Sequence, residues 1–284
     1  MPSPVVRAWI QRRLYWALVL PALLTVVVFY IYPLSRVMWI SVSEPAFGLG
    51  NYTLLFTSPA VQRILVTTAR ICAITSILTL VLGYVVAYAM VHVGEGHRQW
   101  MLFCVLLTFW LSVLVRAFAW VMILRPEGPI NAALLGLGLV NQPLALVRNE
   151  TGVVIGMVHY MLPYAVLPLY ANMQGIDRRL VAAARGLGAT PFTAFRRVFL
   201  PLNMPGIVGA GLLVFVFSLG FYITPAILGG GRTTMIAEYI GIQILTTLRW
   251  GLATMLASTL LITVFLMLAL TSRFVSLRRL FGAA

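Results

Sequence analysis

Long apolar runs separated by short polar segments dominate this sequence. Because a helix needs roughly 20 apolar residues to cross the hydrocarbon core of a bilayer, these runs predict six membrane spans. We place the spans at about 14–34, 64–91, 100–123, 151–173, 207–224 and 252–271. The pattern therefore predicts an all-α membrane protein in which residues 1–284 form a single transmembrane domain.

A polar, arginine-rich island at residues 177–206 separates the fourth and fifth runs. Its first half is rich in Ala, Leu and Arg, which favour a helix, and Gly188 is a typical helix stop. The pair Thr190–Pro191 predicts a second helix, with an N-cap residue followed by proline at the first helical position. Two later prolines are expected to end that helix a turn or two beyond Arg197. The island is therefore predicted to form two short helices at a sharp angle, just outside the membrane.

Composition and charge also indicate a membrane protein. Hydrophobic residues make up 61% of the chain and charged residues 9%, whereas soluble domains carry about 25% charged residues. The formal net charge is +14, and all 20 basic residues are arginines. Twelve of them lie in segments on the side of the N-terminus and six on the other side, so the positive-inside rule places both termini and the island in the cytoplasm. The cytoplasmic group includes Arg7, Arg12 and Arg13 and the tail residues Arg273, Arg278 and Arg279. This distribution accounts for the basic charge without a nucleic-acid partner, and we expect none.

Several features predict a solute path through the spans. Pro163 and Pro168 inside the fourth run, and the segment 224–231 after the fifth, predict irregular backbone of the kind that lines a cavity, with simple helix kinking as the alternative. Arginines within a span usually face water or a partner, or extend towards the membrane surface. The candidate path residues are Arg70, Arg116, Trp120, His159, Tyr160, Tyr164, Phe221 and Tyr222. Three acids, Glu127, Glu150 and Glu238, are expected near the external mouth.

The sequence excludes a nucleotide site of the P-loop type. It has no GxxxxGK[ST] motif and no lysine, so the lysine that contacts phosphate in that motif is missing. The histidines are scattered, and no nucleophile is paired with a base, so we do not expect an enzyme. Neither a cofactor nor a metal is expected in this chain, because Cys72 and Cys104 both lie in apolar runs without a ligand pattern.

The island also carries a motif. Ala182, Ala183 and Ala184 are followed after three residues by Gly188, and Leu200 and Pro201 close the motif. This pattern resembles the cytoplasmic loop of the membrane subunits of ABC importers, in which Glu-Ala-Ala, Gly and Leu-Pro recur in this order. One departure is that Ala182 replaces the glutamate which, in the family, helps to fix the loop against the ATPase subunit. On this resemblance, the residues that contact the ATPase or shape the loop are Ala182, Ala183, Ala184, Arg185, Gly188, Thr190, Pro191, Phe195, Arg196, Arg197, Leu200 and Pro201.

Further segments, such as TPAILGGG at 224–231, resemble the spermidine/putrescine-type branch of these permeases. The resemblance implies the type I ABC importer permease fold, with six spans and with residues 188–200 as a coupling helix. It implies four partners in a bacterial inner membrane: a second homologous permease subunit, a dimer of ATPase subunits that binds ATP and Mg, a periplasmic solute-binding protein and the lipid bilayer.

The identity of the solute stays open at this point. The resemblance favours a polyamine, whereas the lack of acids within the spans, together with Arg70 and Arg116, favours an opine, an amino-acid-like solute or an organic anion. An ATP-independent channel or an ion-coupled carrier is an alternative of a different class. Ion-coupled carriers usually have Asp or Glu within the membrane, which counts against that alternative.

Overall fold

The computed structural model describes residues 4–274, with side chains from 15 to 272, and this part of the chain is helical throughout apart from its connections. Helices α1 to α14 are, in chain order, Pro4–Val26, Tyr32–Ser43, Gly50–Thr57, Pro59–His92, Glu95–Trp110, Val113–Leu124, Pro129–Gly136, Glu150–Gln174, Arg178–Gly186, Pro191–Ala194, Leu200–Leu219, Ile223–Leu228, Ile236–Leu245 and Trp250–Phe274. Two π-helical turns, Val27–Ile31 and Phe195–Phe199, join α1 to α2 and α10 to α11 without interruption. The tail residues Arg278 and Arg279 lie outside the described residues, as do the side chains of Arg7, Arg12, Arg13 and Arg273.

The predicted all-α fold with six spans is confirmed. Within the described residues, five stretches are long and apolar enough to cross a membrane: Tyr15–Ser43, Pro59–His92, Glu150–Gln174, Pro191–Leu219 and Trp250–Ser272. A sixth span is formed by α5, Glu95–Trp110, and the stretch Val113–Gly136, which contains α6 and α7; these two parts meet at a bend of 102°. The third span is therefore the broken one.

The predicted break in the fourth span is wrong. Helix α8 continues through Pro163 and Pro168 without interruption. Of its most apolar window, 61% is buried inside the protein, and it packs against both α4 and α11. Neighbouring helices commonly compensate for the backbone hydrogen bonds that proline removes in membrane proteins, and the packing of α8 on several sides provides such neighbours.

The predicted end of the second island helix is also wrong. The chain remains helical from Pro191 through the π-helical turn and α11 to Leu219, so this helix and the fifth span form one continuous element. Pro201 lies in the first turn of α11, directly after the π-helical turn. A proline at such a position interrupts no regular ladder, because the wider turn has already shifted the hydrogen-bonding register. Only Pro205 lies inside the α-helix.

The core lies where α4, α8 and α11 meet. Fully buried apolar side chains from all three helices, including Ala87, Met161 and Val214, form one cluster. The helices approach closely at Gly83 of α4, where an added Cβ atom would stand 2.9 Å from the Cβ of Ala165 on α8. The stretch Tyr15–Ser43 lies outside this core, and its most apolar window has no buried residue.

Candidate functional site

In the polar island, called the coupling loop (177–206) from here on, both helices begin at the predicted residues and the first also ends where predicted. A carboxylate oxygen of Asp177 accepts a hydrogen bond from the Arg179 amide at 2.9 Å and so caps α9. After α9, Gly188 has a φ of +89°, a left-handed conformation that favours glycine after a helix. The Thr190 hydroxyl accepts a hydrogen bond from the Thr193 amide at 3.2 Å and caps α10. Local sequence therefore sets where α9 begins and ends and where α10 begins.

The coupling loop presents cationic and apolar side chains to its surroundings. Helix α9 has no buried residue, and Arg185, Arg196 and Arg197 are exposed and form no ion pair with any described side chain. Leu187 and Phe192 are 90% and 70% exposed. Sequence reasoning missed these two residues, although large apolar side chains within a polar segment are a usual sign of a partner surface. The other motif residues divide into an exposed set, Ala182, Ala183, Gly188, Thr190, Pro191 and Pro201, and a partly buried set, Ala184, Phe195 and Leu200.

Most of the candidate path residues come together in one place. We define the aromatic cluster as Trp120 of α6, His159, Tyr160 and Tyr164 of α8, and Phe221 after α11. The Tyr160 ring lies 4.5 Å from the Phe221 ring and 6.0 Å from the Tyr164 ring, measured between centroids. Sequence reasoning missed Phe109 and Phe217, whose rings meet the Tyr164 ring edge-on at 5.2 and 5.0 Å; both lie in uniformly apolar runs, where no pattern marks them. The cluster thus joins α5, α6, α8 and α11.

A hydrogen bond fixes the protonation of the histidine in this cluster. The Trp120 indole N–H donates to Nδ1 of His159 at 3.1 Å. Since an indole nitrogen is only a donor, Nδ1 must be the accepting nitrogen, and the neutral ring carries its proton on Nε2. In this arrangement His159 is uncharged and presents one N–H donor beside the aromatic faces.

Arg116 forms hydrogen bonds across the break in the third span. Helix α5 ends at Trp110, and helix ends leave carbonyl groups without partners. The Arg116 guanidinium donates to the carbonyl of Leu111 at 3.0 Å and to that of Thr108. Its central carbon lies 4.9 Å from the centroid of the Tyr160 ring, a cation–π geometry. Arg116 is only 8% exposed, so its charge is engaged by the protein itself.

Arg70 and Tyr222 lie outside the aromatic cluster. Arg70, on α4, forms an ion pair with Glu150 at the start of α8. Tyr222 instead packs against Gly241 of α13, where an added Cβ would stand 3.0 Å from its ring. The sequence analysis named Arg70 and Glu150 separately, but only the packing of α4 on α8 brings them together.

The three acids expected near the external mouth have different environments. Glu127 is exposed, and Glu150 is paired with Arg70. Glu238 lies in the first turn of α13, a helix too short to span a membrane, and is 6% exposed. Burial raises the pKa of its carboxyl group, an effect that the Met235 amide partly offsets. Of the three acids, Glu127 alone is exposed and free of an ion pair in the described part of the chain.

Comparisons with known proteins identify the family of the chain. Residues 79–281 match the model of the family described as "Binding-protein-dependent transport system inner membrane component". The chain is 33% identical to the spermidine/putrescine transport system permease protein PotB of Escherichia coli K12 over 78% of its own length and 80% of the relative's. It is 34% identical to PotB of Haemophilus influenzae over 71% of this chain and 70% of that one.

Solved structures share the fold. A chain of a bacterial ABC transporter involved in the import of the acidic polysaccharide alginate superimposes with a TM-score of 0.75 at 20% identity, over 95% of this chain and 99% of that one. The family match covers more than half of the sequence, and the relatives are transport permeases rather than enzymes. The chain therefore belongs to the family of binding-protein-dependent transport system inner membrane components, the permease subunits of ABC importers.

Proposed function

We propose that this chain is one of two pore-forming permease subunits of an ATP-driven importer, and that the solute is a polyamine such as spermidine or putrescine. The observation that carries this proposal is an exposed coupling loop whose second helix continues directly into a spanning helix. A displacement of the loop by a partner would move the fifth span as part of the same element. A carrier that works without an ATPase has no need of a cytoplasmic helix that continues into a spanning helix.

The surroundings of the two membrane arginines favour a cationic solute over an anionic one. Arg116 is buried and donates to two backbone carbonyls, and Arg70 is paired with Glu150, so both arginines already have partners within the protein. The Tyr160 ring already has the Arg116 guanidinium over it, but the rings of Tyr164 and Phe221 suit an ammonium group, which is attracted to the face of an aromatic ring. The similarity to PotB supports the same solute class.

The remaining partners follow from the same proposal. ATP and Mg would be bound by a dimer of ATPase subunits, whose groove should carry acidic and apolar groups to match Arg185, Arg196, Leu187 and Phe192. A homologous permease would complete the pore, and a periplasmic solute-binding protein would deliver the polyamine. The arginine distribution supports cytoplasmic termini. In the described spanning stretches the acids lie only at the first residues Glu95 and Glu150 and at Glu127, in the connection between α6 and α7, which disfavours an ion-coupled mechanism.

The test begins with gentle purification of the tagged chain from its native membrane and identification of the co-purifying proteins by mass spectrometry. We expect an ATPase subunit, a second permease and a solute-binding protein. In proteoliposomes, the complex should take up labelled spermidine or putrescine only when ATP is supplied. Recovery of the chain alone, with uptake in the absence of ATP, would refute the proposal. ATP-driven uptake of an opine or organic anion in place of a polyamine would refute the assignment of the solute.

A pair of variants separates the coupling loop from general surface effects. Phe192→Asp places a carboxylate on the exposed apolar part of the coupling loop and should release the ATPase subunit from the purified complex. Leu137→Asp is the matched control, since Leu137 is similarly exposed, at 74%, but follows α7 on a different part of the chain. Equal retention of the ATPase subunit by both variants would contradict the proposed docking surface.

A further inference from the structure

Five aromatic rings connect the coupling loop to α4. Tyr84, Tyr88 and His92 lie at intervals of four residues on α4, and Phe195 and Phe199 lie at the two ends of the π-helical turn. We call this set the aromatic joint. Tyr88 is its centre, because its ring meets Phe195 and Phe199 edge-on at 5.6 and 5.5 Å between centroids and contacts His92 at 4.1 Å. Edge-to-face pairs are directional, so the joint fixes the orientation of the two helices as well as their separation.

A side chain of the coupling loop also holds the end of α4. Arg178, the first residue of α9, donates a hydrogen bond to the carbonyl of Val91 at 2.6 Å. That carbonyl belongs to the last turn of α4, where helix carbonyls lack partners within the helix and attract cations. The first helix of the loop is thus attached to the same end of α4 as the π-helical turn.

Helix α4 is in turn fixed to α8, which carries most of the aromatic cluster. The ion pair between Arg70 and Glu150 ties α4 to the first residue of α8. Midway along, Gly83 allows α4 to approach Ala165 of α8, directly beside Tyr164. Because these two attachments are widely spaced, α4 and α8 should move together. A displacement of the C-terminal end of α4 would then move the aromatic cluster.

We propose that Tyr88 is a positioning residue for energy coupling, and that the aromatic joint transmits displacement of the coupling loop to α4 and α8. This inference rests on the proposed function, because it assumes that an ATPase moves the loop. It adds a second route to the continuous α10–α11 element, which moves only the fifth span. Through the joint, one displacement of the loop would act on both sides of the aromatic cluster.

The test measures solute uptake and ATP hydrolysis together in proteoliposomes that contain the complete importer. Tyr88→Leu keeps an apolar side chain but removes the ring, and we expect the amount of solute moved per ATP hydrolysed to fall about tenfold, within the range usual for coupling between sites. Tyr88→Phe keeps the ring and should restore the wild-type ratio. Arg178→Ala, at an exposed position where folding is not at risk, should also lower the ratio, and Arg178→Lys should restore most of it.

Each outcome decides the inference. An unchanged ratio in Tyr88→Leu and Arg178→Ala overturns it, and so does an equal fall of uptake and ATP hydrolysis, which would indicate only a structural role. If Tyr88→Leu fails to assemble, Arg178→Ala decides by the same ratio. A wild-type complex whose uptake does not depend on ATP would refute the proposed function itself, before any variant is compared.

Discussion

The contact between Gly83 and Ala165 gives a quantitative prediction about the core. A Cβ added at Gly83 would stand 2.9 Å from the Ala165 Cβ and 3.5 Å from the backbone nitrogen of Val166, neither of which lies on a flexible side chain. Overpacking of this kind costs about 1–3 kcal/mol, while replacing glycine with alanine inside a helix gains about 1 kcal/mol. Gly83→Ala should therefore lower the free energy of unfolding by up to about 2 kcal/mol.

Two further variants make the prediction specific. Gly211→Ala is the matched control, because the nearest atom, at 3.0 Å, is the mobile Cδ1 end of Leu80; this variant should be as stable as the wild type or more stable. The double variant Gly83→Ala/Ala165→Gly restores the space and should recover stability, with a coupling energy of about 1–3 kcal/mol. The assay is thermal unfolding of the importer complex in detergent. A Gly83→Ala variant more stable than the wild type, or additive effects of the two substitutions, would refute the close packing of α4 on α8.

Three other predictions concern separate parts of the chain. Arg116→Leu should destabilise the protein by about 1.5–3 kcal/mol for each hydrogen bond lost to the carbonyls at the broken span. Arg116→Lys should lose less stability. Equal melting temperatures for the wild type and both variants would disprove a stabilising role of Arg116 at the break. Gly188→Val should abolish uptake while the protein remains in the membrane, because Gly188 has a φ of +89° and this left-handed conformation costs other residues about 1–2 kcal/mol. The control variant Gly186→Ala, at a position with open space around it, should transport normally. Normal uptake by Gly188→Val would contradict the coupling geometry. Burial raises the pKa of Glu238 above the ordinary value of 4.5, so the stability of the protein should fall as the pH rises through the folded-state pKa. Glu238→Gln should remove this part of the pH dependence of the melting temperature. An identical pH profile for the variant and the wild type would contradict this prediction.

The positions of the two membrane arginines bear directly on the choice of solute. Counted from the sequence, Arg70 and Arg116 are free cations that favour an anion. In the folded chain, each is matched by a group from a different helix or helix end. An inventory of charges is therefore a poor guide to solute preference until the partners of each charge are known.

Local sequence determined much of this protein. Runs of about 20 apolar residues predicted all six spans. Cap and stop residues predicted where both helices of the coupling loop begin and where the first one ends, because these signals act within one helix or one turn. The motif from Ala182 to Pro201 indicated the family for the same reason, as its residues are close in sequence. The aromatic cluster was predicted in part, since Tyr160 lies against Phe221 and Trp120 against His159, although Arg70 and Tyr222 lie elsewhere.

Only the tertiary structure decided where the helices break and which distant residues meet. Prolines in α8 do not interrupt it because its neighbours hold it in place, whereas the third span bends by 102° at Leu111 and Ser112, where the sequence has no proline. The ion pair of Arg70 with Glu150, the brace at Arg116 and the rings around Tyr88 each join separate elements. Such contacts depend on how whole helices pack, and the free energy of that packing is not encoded in any single stretch of the chain.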